Sequence, residues 1–214
     1  MGIDEKEYRR MIVDIGKRMY QAGFVAANDG NISIKISDDV ILTTPTGVSK
    51  GYMTEDMLVL VDMNGNVIEG NNKPSTELKM HLAVYRENRD VRSVCHAHPP
   101  VSTAFGVAGI DMNKPIIAET LLTLKEVPII GYEELGSDKL AESIVPYCNK
   151  NVAVILAHHG AVTWGKDIFE AYYRMESMEH YGKIYIYSKI LGNQNILDSD
   201  AVEVLKKIGE ERSK

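Results

Sequence analysis

The segment SVCHAHPP, residues 93–100, sets His96 and His98 two positions apart and then stops the chain with Pro99 and Pro100. In a strand, side chains at i and i+2 leave the same face about 7 Å apart, so both imidazoles can converge on one ion at nitrogen bond lengths of roughly 2 Å. Cys95 faces the other way. A pair of polar residues at a strand end is an equal reading of this spacing alone, and a metal needs a third ligand. His159 supplies a candidate, in the run LAHHG, where Gly160 permits a sharp turn directly after the imidazole. Its neighbour His158 would point to the opposite face of a regular strand and reads as a structural residue. Three neutral imidazoles leave zinc at least one open position, the arrangement of a catalytic rather than a structural site.

Three other segments can hold an anion. In KPSTELKMH, residues 73–81, Ser75 and Thr76 stand where a helix would begin, and hydroxyls with free backbone N–H groups there suit a phosphate. Glu77 falls in the first turn; taken alone, it reads equally as a capping carboxylate favoured by the helix dipole. The loops Asn28-Asp-Gly-Asn31 and Thr43-Thr-Pro-Thr-Gly47 offer amides, hydroxyls and close backbone approach at Gly30 and Gly47. Each by itself would pass as an ordinary turn.

The elements that must carry these residues follow from periodicity. Tyr8, Met11, Ile12, Ile15 and Met19 recur at helical spacing between Asp4 and Ala22, with Gly23 as the stop. Residues 32–36, 40–44 and 58–62, then NVIEG after a turn at Met63-Asn-Gly65, read as antiparallel strands. A helix begins near Glu77, RSVCHAH is a strand, residues 101–108 are a short apolar segment, and residues 127–130 follow as another. A helix from about Ser137 to Cys148 leads into a buried strand at 152–157. The helix from Asp167 to about Leu191 is apolar on more than one face, which suggests a second packing partner such as another subunit. Mixed strands with flanking helices indicate an α/β fold, and the absence of regular βαβ alternation and of GxGxxG disfavours a doubly wound nucleotide fold.

Bulk properties narrow the function. A chain of 214 residues can bury a substantial core as one domain over 1–214, needing neither disulfides nor a metal for its size. Two cysteines make no disulfide framework, and MGIDEKEYRR is not a secretory leader, so the cytoplasm is the expected location. No run of about 18 apolar residues is present to span a membrane. A formal charge of −6 without a dense Lys/Arg block argues against nucleic acid as the main partner.

Taken in order, GNISIK, TPTGVSKG, KPSTE, HAHPP and LAHHGAVTWG resemble the class II sugar-phosphate aldolase family, which includes L-fuculose-1-phosphate and L-rhamnulose-1-phosphate aldolases and the L-ribulose-5-phosphate 4-epimerases. The resemblance runs from about Lys6 to about Gly192. It implies a three-layer α/β/α domain around a largely antiparallel sheet, and a homotetramer with active sites at subunit interfaces. It implies Zn²⁺ on His96, His98 and His159, with Glu77 as a carboxylate that ligates the resting metal and then acts as acid/base. Gly30, Asn31, Thr46, Gly47, Ser75 and Thr76 would hold the substrate phosphate. The implied reaction is reversible cleavage of a ketose 1-phosphate to dihydroxyacetone phosphate and an aldehyde through a metal-stabilised enediolate.

The chain departs from that pattern in places. KPIIAETLLTL carries Glu119 where the fuculose enzymes place a tyrosine, no tyrosine follows Tyr187, and Asn28 stands where threonine is common. Glu119 is thus a second acid/base candidate, with a solvated loop carboxylate as the alternative. The 4-epimerase subgroup has aspartate at the Glu77 position, so the glutamate favours an aldolase. A methylthioribulose-1-phosphate-type dehydratase, a sugar-acid-phosphate decarboxylase and a non-catalytic adducin-like binding module are the other readings within the superfamily.

Overall fold

A computed structural model describes residues 4–212. Among the described residues, eight strands form one sheet: β1 (Asn31–Lys35), β2 (Val40–Thr43), β3 (Val59–Asp62), β4 (Val67–Glu69), β5 (Ser93–Ala97), β6 (Ile129–Ile130), β7 (Ala153–Leu156) and β8 (Gly160–Gly165). Their spatial order is β4-β3-β2-β1-β5-β8-β7-β6. Every pair is antiparallel except β6 with β7.

Helices cover both faces. α1 (Glu5–Gln21), α3 (Pro100–Ala108) and α6 (Ile168–Ile190) pack with Ile32, Ile34, Cys95, Ala97 and Ile155 in one core layer. α2 (Leu78–Glu87) and α5 (Asp138–Ile144) pack with Ile41, Val94, Val154, Val162 and Trp164 in the other. This is the expected three-layer α/β/α arrangement. Its cause is the period of two: Cys95 and Ala97 enter one layer while Val94 enters the other, which turns His96 toward α2. On α1 the stripe Ile12, Ile15 and Met19 is fully buried, each side chain contributing about 1.5–3 kcal/mol by leaving water.

Several elements differ from the sequence reading. The run at 152–157 is a four-residue strand followed by a tight turn and a second strand, so LAHHGAVTWG is a hairpin; the β-branched and aromatic residues of AVTW mark β8, which lies between β5 and β7. Residues 100–108 are a helix, with Pro100 at its first position, where a missing N–H costs nothing. The loop KPIIAETLLTL contains α4 (Ala118–Thr123), and α7 (Ser199–Arg212) packs against it. The several apolar faces of α6 are largely accounted for within the chain, by the sheet strands β5 and β8 and by α1, α3 and α4. Tyr173, Tyr187 and Ile190 remain exposed on it.

Candidate active site

The end of β5, the β7–β8 turn and the start of α2 meet at one point. His96 lies on β5, paired with Asn31 of β1 and Val162 of β8. His98 has just left the strand, and its N–H is fixed by the carbonyl of Phe24 at 2.9 Å. His159 is the last residue of the hairpin turn, its N–H donating to Leu156 at 3.1 Å. The three rings form a near-equilateral cluster, with centroids 4.7, 5.1 and 5.2 Å apart.

The turn works differently from the sequence expectation. The left-handed residue is His158, at φ 58°, and it is exposed to solvent rather than set on the far face of a strand. Gly160 is needed for space: a Cβ there would sit 2.4 Å from the carbonyl oxygen of Ala97 and 2.6 Å from Cδ2 of His98. Gly30 is constrained in both ways, with φ 74° and a hypothetical Cβ 2.8 Å from the carbonyl oxygen of His96.

Glu77 joins the cluster. Its Oε1 lies 2.9 Å from His159 Nε2, its Oε2 lies 3.3 Å from His96 Nε2, and Asn31 Nδ2 donates to Oε2 at 2.9 Å. It occupies the N-cap position of α2 but makes no capping bond; Ser75 Oγ instead accepts from the Glu77 N–H at 3.3 Å. The helix-capping reading of Glu77 is therefore replaced by one in which its carboxylate turns into the cluster. Burial alone would raise its pKa, but the hydrogen bonds and charge of His159 and His96 outweigh that and hold it well below the usual carboxylate range.

The donor set fits a divalent transition metal. His96 Nδ1 is 3.0 Å from the carbonyl of Ala161, and His98 Nδ1 is 3.3 Å from Asp29 Oδ2, so each ring has an acceptor for a hydrogen on Nδ1 and, with a metal bound, would turn a lone pair at Nε2 to it. Those two Nε2 atoms lie 3.2 Å apart. Two nitrogens bound to one tetrahedral zinc would be separated by about 3.3 Å, which matches this spacing. Ligand atoms of His96, His98 and His159 all lie within 4.8 Å of one another. The His159 ring differs, since its Nδ1 is buried with no hydrogen-bond partner among the described residues. His98 is pushed down to about 4, first by burial and then by the charges of His96 and His159.

The anion loops converge on the same place. Thr46 N–H donates to Lys73, Ser75 N–H donates to Thr44, and Pro45 bridges Pro74, which ties TPTG to KPST. Those two amides are thus engaged by the fold. Among the described residues nothing accepts from the N–H groups of Gly47 and Thr76. Glu119 is not brought to the cluster within this chain: it is exposed on α4, and among the described residues no side-chain hydrogen bond or ion pair links it to the histidines.

A family model described as Class II Aldolase and Adducin N-terminal domain matches residues 10–186. The chain belongs to that family. It is 33% identical over 176 residues to a protein of Methanocaldococcus jannaschii named L-fuculose phosphate aldolase, covering 82% of this chain and 94% of that one. It is 31% identical over 181 residues to a Haemophilus influenzae protein named 3-oxo-tetronate 4-phosphate decarboxylase, covering 83% and 86%. The solved structure of YgbL from Klebsiella pneumoniae superposes with a TM-score of 0.89 at 28% identity, covering 95% of this chain and all of that one. The protein is an aldolase-type enzyme of a family that is generally metal-dependent, and no described helix is long and apolar enough to cross a membrane.

Sequence reasoning missed four polar residues around this class II aldolase site, three of them buried. Asp29, beside His98, was legible in NDGN, where only its neighbours were singled out. Lys50, in TPTGVSKG, is 1% exposed. His81 Nδ1 and Tyr85 hydroxyl each lie 2.7 Å from Ser33 Oγ beneath α2, and burial holds His81 at about 3. Glu179 on α6, 1% exposed, accepts from the N–H groups of Val101 and Ser102 and from Ser102 Oγ, so it caps α3 directly after the histidine segment. No local pattern announces a partner so distant in sequence.

Proposed function

We propose that this protein is a Zn²⁺-dependent lyase, one ion per subunit, that cleaves a ketose 1-phosphate reversibly to dihydroxyacetone phosphate and an aldehyde. One observation carries the reading: a largely buried carboxylate, Glu77, held against His96 and His159 beside the tied segments TPTG and KPST. A divalent ion on His96, His98 and His159 supplies a Lewis acid for the negative charge that develops on oxygen as the carbon–carbon bond opens.

The chain's own groups do the rest. Gly30, Asn31, Thr46, Gly47, Ser75 and Thr76 hold the phosphate, so binding at the unreactive end orients the bond to be broken. Glu77, kept ionised by its neighbours and by Asn31, takes the proton from the substrate hydroxyl and returns it to carbon. Glu119 on α4 is a second acid/base candidate for a neighbouring subunit's site in a homotetramer. A single domain in the cytoplasm, using a small sugar phosphate and neither nucleic acid nor membrane, completes this reading.

The decarboxylase name of the Haemophilus relative supports a second reading. Loss of carbon dioxide from a 3-oxo acid whose C4 carries phosphate leaves the same three-carbon fragment, dihydroxyacetone phosphate. Both reactions break a bond to the carbon next to the ketone and need the same phosphate and metal sites. A panel of ketose 1-phosphates (fuculose, rhamnulose, ribulose, 5-deoxyribulose and methylthioribulose) and 3-oxo-tetronate 4-phosphate distinguishes them. Dihydroxyacetone phosphate with an aldehyde supports the aldolase; the same fragment with carbon dioxide supports the decarboxylase. Release of that fragment from none of them, with the protein folded and loaded with metal, would refute both.

A further inference from the structure

Lys50 is a lysine with 1% of its surface exposed, and its ammonium sits between two of the anion loops. It donates to the carbonyl of Val48 at 2.7 Å and to that of Asn28 at 3.2 Å. One carbonyl belongs to the turn carrying Thr46 and Gly47, the other to the turn carrying Asp29, Gly30 and Asn31. An ammonium has three protons, and these two bonds use two of them. Among the described residues no carboxylate pairs with it: Asp29 and Glu77 act on it only through their charges. A buried cation held by neutral carbonyls is an expensive arrangement unless a counter-ion completes it. Of the lysines in KPSTELKMH, Lys73 is exposed, with its charge screened by water, and Lys79 pairs with Asp138.

We propose that Lys50 is the fixed positive charge of the phosphate cradle, tying its two loops together and setting the enzyme's preference for phosphorylated over neutral ketoses. This rests on the phosphate reading above. The same environment explains a second property: burial pushes the ammonium down to about 8, against the opposing pull of Asp29 and Glu77, and a bound dianion would restore its charge.

The test compares the metal-loaded enzyme with Lys50→Met and Lys50→Gln, with calorimetry of dihydroxyacetone phosphate and of neutral dihydroxyacetone. Glutamine can still donate to the carbonyls but carries no charge, which separates charge from loop tying. Both variants should bind dihydroxyacetone phosphate about 10- to 100-fold more weakly, as for loss of one charged hydrogen-bonding group, with dihydroxyacetone binding and metal content unchanged. Affinity of Lys50→Gln equal to that of the parent would overturn the charge role while leaving the phosphate reading intact. Failure of the parent itself to bind dihydroxyacetone phosphate would instead remove the phosphate reading.

If both variants fail to fold, sulfate binding to the parent between pH 7 and 10 decides, because sulfate stays a dianion throughout. The charged groups facing Lys50 are the carboxylates of Asp29 and Glu77; Tyr20, packed on Gly51 from α1, has its phenol raised by its bond with Tyr52. Carboxylates keep their charge over that range, so Lys50 is the group that loses its proton there. Sulfate affinity should fall as pH rises past about 8. A flat profile would refute the proposal.

Discussion

Gly160→Ala tests how tightly the fold fixes the histidine cluster. The added Cβ would sit 2.4 Å from the Ala97 carbonyl oxygen, and real Cβ atoms essentially never come closer than 3.0 Å to such an atom. The difference, 3.0 less 2.4, means β5 and β8 must separate by at least about 0.6 Å, while metal–ligand distances tolerate only about 0.2 Å. Neither obstacle is the far end of a flexible chain: one is backbone of a central strand and the other is the His98 ring itself. Overpacking of this kind costs about 1–3 kcal/mol of stability. Displacement of His98 should weaken metal binding by about 10- to 100-fold, as for other losses of ligand support. The assay is metal content after dialysis against a graded chelator series, together with thermal unfolding. Gly47→Ala is the control: at φ 73° with no atom within 4 Å, it should cost only about 1 kcal/mol of backbone strain and leave metal content unchanged. A Gly160→Ala protein with parental metal affinity and melting temperature would refute the reasoning.

Glu77→Gln should retain metal on the three histidines yet lose about 10²- to 10⁴-fold in kcat, because the amide cannot take a proton; parental kcat with full metal content would dismiss the acid/base role. Glu179→Ala leaves the N–H groups of Val101 and Ser102 and the Ser102 hydroxyl without an acceptor in a buried site, so denaturant unfolding should show a loss of about 3–5 kcal/mol, and a change under 1 kcal/mol would contradict the capping role. His81 has a folded pKa of about 3 against 6.5 for the free side chain, so as pH falls below 6.5 the unfolded chain takes up a proton that the folded one refuses. In chelator, to exclude metal release, stability should therefore drop about 1.4 kcal/mol more per pH unit in the parent than in His81→Asn between roughly pH 6 and 4, and parallel slopes would rule this out.

The amino-acid sequence by itself determined the family, the candidate residues and most of the layering. HAH at strand spacing, the second histidine pair before a glycine, and hydroxyls ahead of Glu77 each carry their meaning locally, because ligand type, strand alternation and helix starts are short-range properties. The stripes on α1 and α6 were legible for the same reason. Only the tertiary structure decided what those residues touch. That Glu77 faces His96 and His159 rather than capping α2, that Asp29 holds His98, and that Gly160 is small to admit β5 rather than to turn the chain are facts of distance across the sheet. Lys50, His81 and Glu179 were illegible on the same ground: in a sequence a charged residue reads as solvated, and only the packing around it shows what desolvates it and which donors or acceptors it meets.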